Sequence, residues 1–562
     1  VPHDDADTQD TPRTIADRYV ETIADLNPLV GTALGIRPGV DAMPDYSPDG
    51  RDVVADAARG TLAELDAAER AAGDAGLPVE ERRAARLLRE RLTASLALHD
   101  SGEGLRELSN LFSPVQSMRS VFLMMPSATV DDWAVIGRRL RNIPAAVAGF
   151  QASLDEGARR GLYAAPRQVD TVLEQLDTWL EDDWYTSFVA TGPDAQRDEL
   201  TAAAAVAGAG LAELRDHLAG YRAGAEGTPD AVGRERYAAS ARYWTGSDLD
   251  LEDAYAYGWS EFHRIADEMK QAADAVLPGH TPLAVMRHLD EHGEAIEGVE
   301  EVRVWLQGLM DRAMADLDGT HVDLAEPIKH VEAMIAPPGS AAAPYYTRPS
   351  LDFSRPGRTW LPTLGETRFP VWGLVSTWYH EGVPGHHLQL AQWVHVAGRL
   401  SRYQVSLGSV SAMSEGWALY AERLMDELGY LTDPPIRLGY LDAQIMRAIR
   451  VIIDIGMHLR LRIPNGETFH PGEVWTPELA REFFGAFNGR DAAFLDSEIV
   501  RYLGMPGQAI GYKLGERAWL AGRDAARSAR GADFDLKAWH MAALSMGSLG
   551  LDDLTDELAR LP

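Results

Sequence analysis

A mainly α-helical chain in two lobes, with one small β element in the second, is the architecture this sequence predicts. Three observations carry that expectation. Apolar residues recur at steps of three and four through most of the 562 residues, the mark of amphipathic helices. The stretch 223–233 (AGAEGTPDAVG) reads as a linker and divides the chain into residues 1–230 and 231–562. Segment 331–358 carries five prolines, which remove backbone donors and clash with a helical turn, so short strands and turns are expected around 331–365.

Taken in order, residues 13–27 space Ile15, Tyr19, Ile23 and Leu26 as one face of a helix. A Gly-, Pro- and Asp-rich loop follows at 35–50, with turns at 44–48. Residues 51–100 predict two helices broken near 73–78. The Met-rich apolar run 110–126 is expected to be a buried core segment. Residues 127–161 predict a helical hairpin with Pro144 near a helix start, and the alanine-rich 200–219 a closely packed helix. Beyond the linker, 248–276 and 299–318 again have helical spacing, and 359–363 is expected to form an edge strand.

Composition narrows the function. A net charge of −32 repels nucleic acid and anionic membranes, so neither is an expected partner. No run approaches the ~20 apolar residues that span a bilayer. The acidic start VPHDDADTQD does not resemble a signal peptide, so a cytoplasmic location is expected, with secretion after loss of a leader as the alternative. There is no cysteine, so any metal must rest on His and carboxylate ligands.

Such ligands are concentrated in one place. His380-Glu381-Gly382-Val383-Pro384-Gly385-His386-His387 follows the apolar run 369–379, which has the pattern of a core helix. Two imidazoles can hold a zinc ion while the neighbouring carboxylate takes a proton from the attacking water. On an unbroken helix His387 shares a face with His380, but the rise of 1.5 Å per residue puts them roughly 10 Å apart, too far for one ion. Pro384 must break the helix, and Gly385 permits a tight or left-handed turn. If two residues are absorbed in the break, His386 reaches the ion; if three, His387 does. The favoured ligands are His380 and His386, with His387 beside the ligands or facing substrate. A third ligand is expected from the stretch 411–428, read as a helix capped at Ser414: Glu415 in its first turn completes a His₂Glu site, and Glu422, two turns along the same face, orients a ligand histidine. The cofactor expected is one divalent ion, zinc first, with Mn²⁺ or Fe²⁺ as alternatives.

The strings HEGVPGHHLQ (380–389, including Gln389), SEGWALYAE (414–422), RAIRVIIDIGMH (447–458) and RYLGMPGQAIGYKLG (501–515), with GIRPGVDAMPDYSP (35–48), resemble the bacterial DUF885 proteins over most of the chain. That resemblance implies a two-lobed helical metallopeptidase-like architecture with a thermolysin-like metal site, similar to the M3 and M32 peptidases. The chain departs from those two in lacking H-E-x-x-H, and the resemblance implies no particular substrate.

Two further polar stripes are candidates. Arg447, Arg450, Asp454 and His458 recur along the otherwise apolar helix 441–461, either as internal ion pairs or facing a cleft. At least one of these arginines is expected to hold a peptide carboxylate. After the Pro506-Gly507 turn, Tyr512 is a candidate oxyanion donor, as is Tyr502 before it; Tyr345 and Tyr346 are weaker ones. Arg501, Gln508 and Lys513 are candidates to support the ligands or touch substrate. The expected function is zinc-dependent hydrolysis of short peptides with Glu381 as general base, carboxypeptidase action being the first guess. The alternatives are a hydrolase of a non-peptide amide or ester, and a non-catalytic metal- or peptide-binding protein. No G-x-S-x-G elbow supports serine chemistry. Oligomeric state is left open.

Overall fold

The computed structural model describes residues 10–37, 39–73, 76–337 and 343–562. It is mainly α-helical with two small sheets, as the spacing predicts. The chain divides into two compact units. The first comprises Val1–Leu77, Arg91–Val232 and Ser497–Met505; the second comprises Pro78–Glu90, Gly233–Asp496 and Pro506–Pro562. The division at Val232 and Gly233 falls inside the linker stretch. Two short segments depart from the simple split at 230, because each packs with a part of the chain remote in sequence.

In the first unit, Pro12–Leu26 starts at a capping box in which Thr11 and Thr14 satisfy each other's backbone groups, and it buries Ile15, Tyr19 and Ile23. The hairpin is Val130–Arg141 and Ile143–Arg159, with Pro144 in the first turn. The 28-residue helix Arg197–Gly224 lies against both, burying Ala203, Ala204, Ala207 and Leu211. Segment 110–126 is only half core. In Pro114–Met124 the residues Val115, Met118, Val121 and Phe122 point inward, whereas Phe112, Leu123 and Met124 are 65%, 57% and 50% exposed. An apolar run in a helix has an outer face that its composition does not reveal.

In the second unit the longest contact joins Leu251–Val276 to Pro434–Leu459. A second close pair is Ser411–Glu427 with Gly511–Arg530. There a Cβ on Gly416 would lie 2.4 Å from the Gly515 carbonyl carbon, so the two backbones touch and neither glycine has room for a side chain. The three-stranded sheet runs Val331–Ile335, Gly357–Leu361, Tyr345–Thr347, the first pair parallel and the second antiparallel. The expected edge strand is therefore central, and it spans 357–361. It is free of proline and alternates buried and half-buried residues, as a strand paired on both sides can; Pro362 ends it. A two-stranded sheet pairs Ala295–Glu297 with Arg368–Pro370. Among the described residues no helix is long and apolar enough to cross a membrane.

Candidate metal centre

The His-rich stretch belongs to the second unit. Phe369 pairs with Ile296 and Val371–Gly373 makes one 3₁₀ turn, so the helix expected from 369 begins only at Leu374. It stops at Glu381, and a new helix, His386–His395, starts after a four-residue gap. The break is where Pro384 requires it, and the Val383–Pro384 bond is cis. Gly385 does not supply a left-handed turn, since its φ is −75°. It is needed for space: a Cβ there would lie 1.9 Å from the His380 carbonyl oxygen. The Gly385 N–H donates to Tyr379 O at 3.0 Å, folding the turn onto the end of its own helix. Trp417 bolts the turn in place, its indole N–H donating to Pro384 O at 3.0 Å and Gly385 O at 3.1 Å.

This fold brings His386, the first residue of the next helix, beside His380, with ring centroids 4.8 Å apart and nearly perpendicular. His380, Glu381 and His386 each offer a ligand atom within 4.8 Å of the others. Glu415 closes the group: its Oε2 lies 3.3 Å from His380 Nε2 and 3.6 Å from His386 Nε2. Behind them, His380 Nδ1 lies 2.8 Å from Glu422 Oε1. Glu422 is fully buried, accepts the Ser376 hydroxyl at 2.6 Å and a Gln444 amide N–H at 3.3 Å, and has Arg447 at 3.8 Å.

His387 is occupied elsewhere. Its Nε2 lies 2.7 Å from the Ile328 carbonyl, which can only accept, so that nitrogen carries the proton. Nδ1 is then an acceptor for the Tyr346 hydroxyl at 2.9 Å. Burial pushes this imidazole down to a pKa of about 4, so it stays neutral. Gly357 makes the pairing possible, because a Cβ there would sit 2.3 Å from the Tyr346 oxygen. Of the two adjacent histidines, His386 is the one that faces His380 and Glu415.

The electrostatics separate the two carboxylates. Burial raises the pKa of Glu381, and the neighbouring imidazoles of His380 and His386 only partly oppose it. Burial also acts on Glu415, but the same two histidines beside it hold it far below the usual carboxylate range. Burial would depress His380, yet Glu415 and Glu422 lift it to about 9. One carboxylate is thus kept anionic between two ring nitrogens and the other is poised toward protonation. A divalent cation fits this donor set: Glu415 Oε2 is buried with no aligned hydrogen-bond donor, although it faces two Nε2 atoms. His386 Nδ1 is likewise buried without a partner among the described residues, so only His380 has its outer nitrogen fixed.

The remaining candidates have surroundings of their own. Tyr345 stacks on Trp360 at 5.9 Å. Tyr502 and Arg501 belong to the first unit, where the Tyr502 hydroxyl donates to Glu498 at 2.6 Å and Arg501 grips the same carboxylate. Tyr502 is fully buried with its hydroxyl committed to that carboxylate. Tyr512 lies under the Arg450 guanidinium, 4.9 Å from its ring centre, so two separate candidates prove to be one stacked pair. Asp454 accepts the Tyr237 hydroxyl at 2.7 Å and the Gly507 N–H at 2.9 Å, with His458 at 3.8 Å: a buried structural cluster. Arg447 is buried, donating to Ala443 O at 2.8 Å and facing Glu422. Gln508 accepts the Gly511 N–H through its carbonyl at 3.3 Å, and Lys513 is buried among Gln444, Glu516 and Glu261. Gln389 is fully buried, and neither atom of its amide has a partner among the described residues.

The sequence reading missed Ser376, Trp417 and Gln444. Ser376 stands one helical turn before His380, and Gln444 extends the polar stripe of Arg447 by one turn, so both carried a positional signal. Trp417 carried only its place two residues after Glu415.

Comparison with known proteins agrees with the fold. The family model for DUF885, described as bacterial protein of unknown function, matches residues 28–558. A candidate lipoprotein from Colwellia psychrerythraea superposes with a TM-score of 0.80 at 22% identity, covering 97% of this chain and 98% of that one. A candidate lipoprotein of unknown function from Shewanella oneidensis gives 0.73 at 18% identity, covering 98% and 100%. No curated protein matches the chain.

Proposed function

The chain belongs to the DUF885 family of bacterial proteins of unknown function, and we propose that it is a zinc-dependent hydrolase acting on short peptides. The observation that carries this reading is the convergence of His380 Nε2 and His386 Nε2 on Glu415 Oε2, with Glu381 alongside and His380 held from behind by Glu422. His380, His386 and Glu415 would hold the ion. Zinc would supply Lewis acidity at a scissile carbonyl and ease deprotonation of the attacking water. Glu381 is the residue that accepts that proton and returns it to the leaving amine, and its burial-raised pKa suits both halves of the task. Glu422 keeps the His380 proton on Nδ1, leaving Nε2 its lone pair.

Because Arg447 turns inward to Glu422, that arginine gives C-terminal cleavage no support, and the reading stops at short peptides. A protein that only binds metal or peptide has no use for a second carboxylate poised as Glu381 is. Cytoplasmic residence stands beside a second placement, lipid-anchored outside the cytoplasm, which the two similar candidate lipoproteins bring forward. Cell fractionation distinguishes them.

The test is Glu381→Gln in folded, zinc-loaded protein, assayed against a mixed peptide library with products read by mass spectrometry. Turnover is expected to fall by about 10²–10⁴-fold. Turnover equal to wild type sinks the assignment of Glu381, and a wild type inert towards every peptide sinks the substrate class.

A further inference from the structure

We propose that Lys513 is a positioning residue for the metal centre: through Gln444 and Glu422 it dictates which nitrogen of His380 is left for the ion. The inference rests on the metal-centre reading above and adds a group that does not touch the site. Lys513 has no solvent exposure. Its Nζ donates to Gln444 Oε1 at 2.8 Å and lies against the carboxylates of Glu516 and Glu261.

The polarity of each link follows from the chemistry of its ends. An ammonium has donors only, so the Gln444 oxygen must face it and the Gln444 NH₂ must turn the other way. That NH₂ meets Glu422 Oε2 at 3.3 Å. The Glu422 carboxylate has acceptors only, so His380 Nδ1, 2.8 Å from Oε1, must carry the ring proton. Once the second ring proton is displaced, it is Nε2 that is left with its lone pair, on the side of Glu415 and His386.

In this chain the amide is the one link that can be read in two directions. Without Lys513 it can rotate by half a turn and set its oxygen against the Glu422 carboxylate, which would push Glu422 off His380. Two carboxylates alone would suffice to compensate the buried ammonium. Its contact with Gln444 is what connects it to the site.

The experiment measures zinc affinity by competition with a chromophoric chelator, and the protonation pattern of the His380 ring by ¹⁵N NMR. Lys513→Met is expected to bind zinc about tenfold more weakly, the size typical of outer-shell partners, and, in metal-free protein made alkaline enough for His380 to be neutral, to lose the single Nδ1–H form of that ring. Lys513→Met combined with Gln444→Leu leaves no amide to turn, and is expected to bind more tightly than Lys513→Met alone. A merely structural lysine predicts the opposite, a double variant as weak as the single or weaker. If Lys513→Met fails to fold, Gln444→Leu carries the test, since it leaves the lysine its two carboxylates. A loss of about threefold is expected there, the worth of one weak hydrogen bond, and unchanged affinity overturns the proposal. Wild-type protein that binds no zinc overturns the metal-centre reading and the relay with it. Wild-type binding with a double variant no tighter than the single overturns the relay alone.

Discussion

Glu422 Oε1 and His380 Nδ1 lie 2.8 Å apart with neither residue appreciably exposed to solvent. The contact fixes the imidazole from behind and aims its other nitrogen at Glu415. Glu422→Gln keeps the shape and removes the charge. Zinc affinity is expected to drop about 10- to 100-fold, measured by chelator competition, with the fold retained by circular dichroism. Affinity within twofold of wild type would mean that Glu422 does not orient the ligand.

Adjacent histidines should separate cleanly. His386→Ala removes one of three converging ligand atoms and is expected to abolish stoichiometric zinc, measured by elemental analysis. His387→Ala is expected to keep one zinc per chain, because both its ring nitrogens are engaged with Ile328 and Tyr346. Its cost is stability, about 1–3 kcal/mol for the partners left unsatisfied, read as a lower melting temperature.

Metal uptake should be coupled to pH with a definite sign. In metal-free protein His380 titrates at about 9 against an ordinary value of 6.5, because Glu415 and Glu422 outweigh its burial. A pKa raised in the folded state stabilises it fully below about pH 6.5, and that contribution is lost as pH rises through about 9. Metal-free protein is therefore expected to lose melting temperature across that window. Zinc must displace the proton, so affinity is expected to rise with pH over the same range. Titration calorimetry in two buffers of different ionisation enthalpy checks this, and heats independent of buffer at pH 7 would contradict it.

Gly385→Ala tests the turn itself. With a Cβ placed 1.9 Å from the His380 carbonyl, the backbone must move, and His386 with it. A destabilisation of several kcal/mol and loss of zinc are expected. A variant that melts like wild type and still binds zinc would show that the turn tolerates a side chain.

The core of the site was legible because its chemistry is local. His380 and Glu381 are adjacent, Pro384 has to break a helix, and Glu415 and Glu422 share a helical face through simple periodicity. What spacing could not convey is which distant segment each polar group meets. Lys513 and Arg447 read as cationic and so as candidates for substrate, yet each is enclosed by partners, Glu516 and Glu261 for one and Glu422 for the other. Tyr502 looked like an oxyanion donor and proved to be buried on Glu498, in the other unit. The strand 357–361 looked like an edge because its partners, 331–335 and 345–347, are separated from it and from each other by proline-rich sequence that does not specify which strand pairs with which. Leu123 and Met124 show the same limit at the surface: hydrophobicity alone does not decide which face of a helix turns inward.

The most direct test of the account is anomalous diffraction at the zinc edge from crystals of zinc-loaded protein. The account predicts one strong peak about 2.0–2.2 Å from His380 Nε2, His386 Nε2 and a Glu415 oxygen, with Glu381 close by but not bonded to it. A peak on His387, or no peak among these residues at full zinc loading, would contradict it.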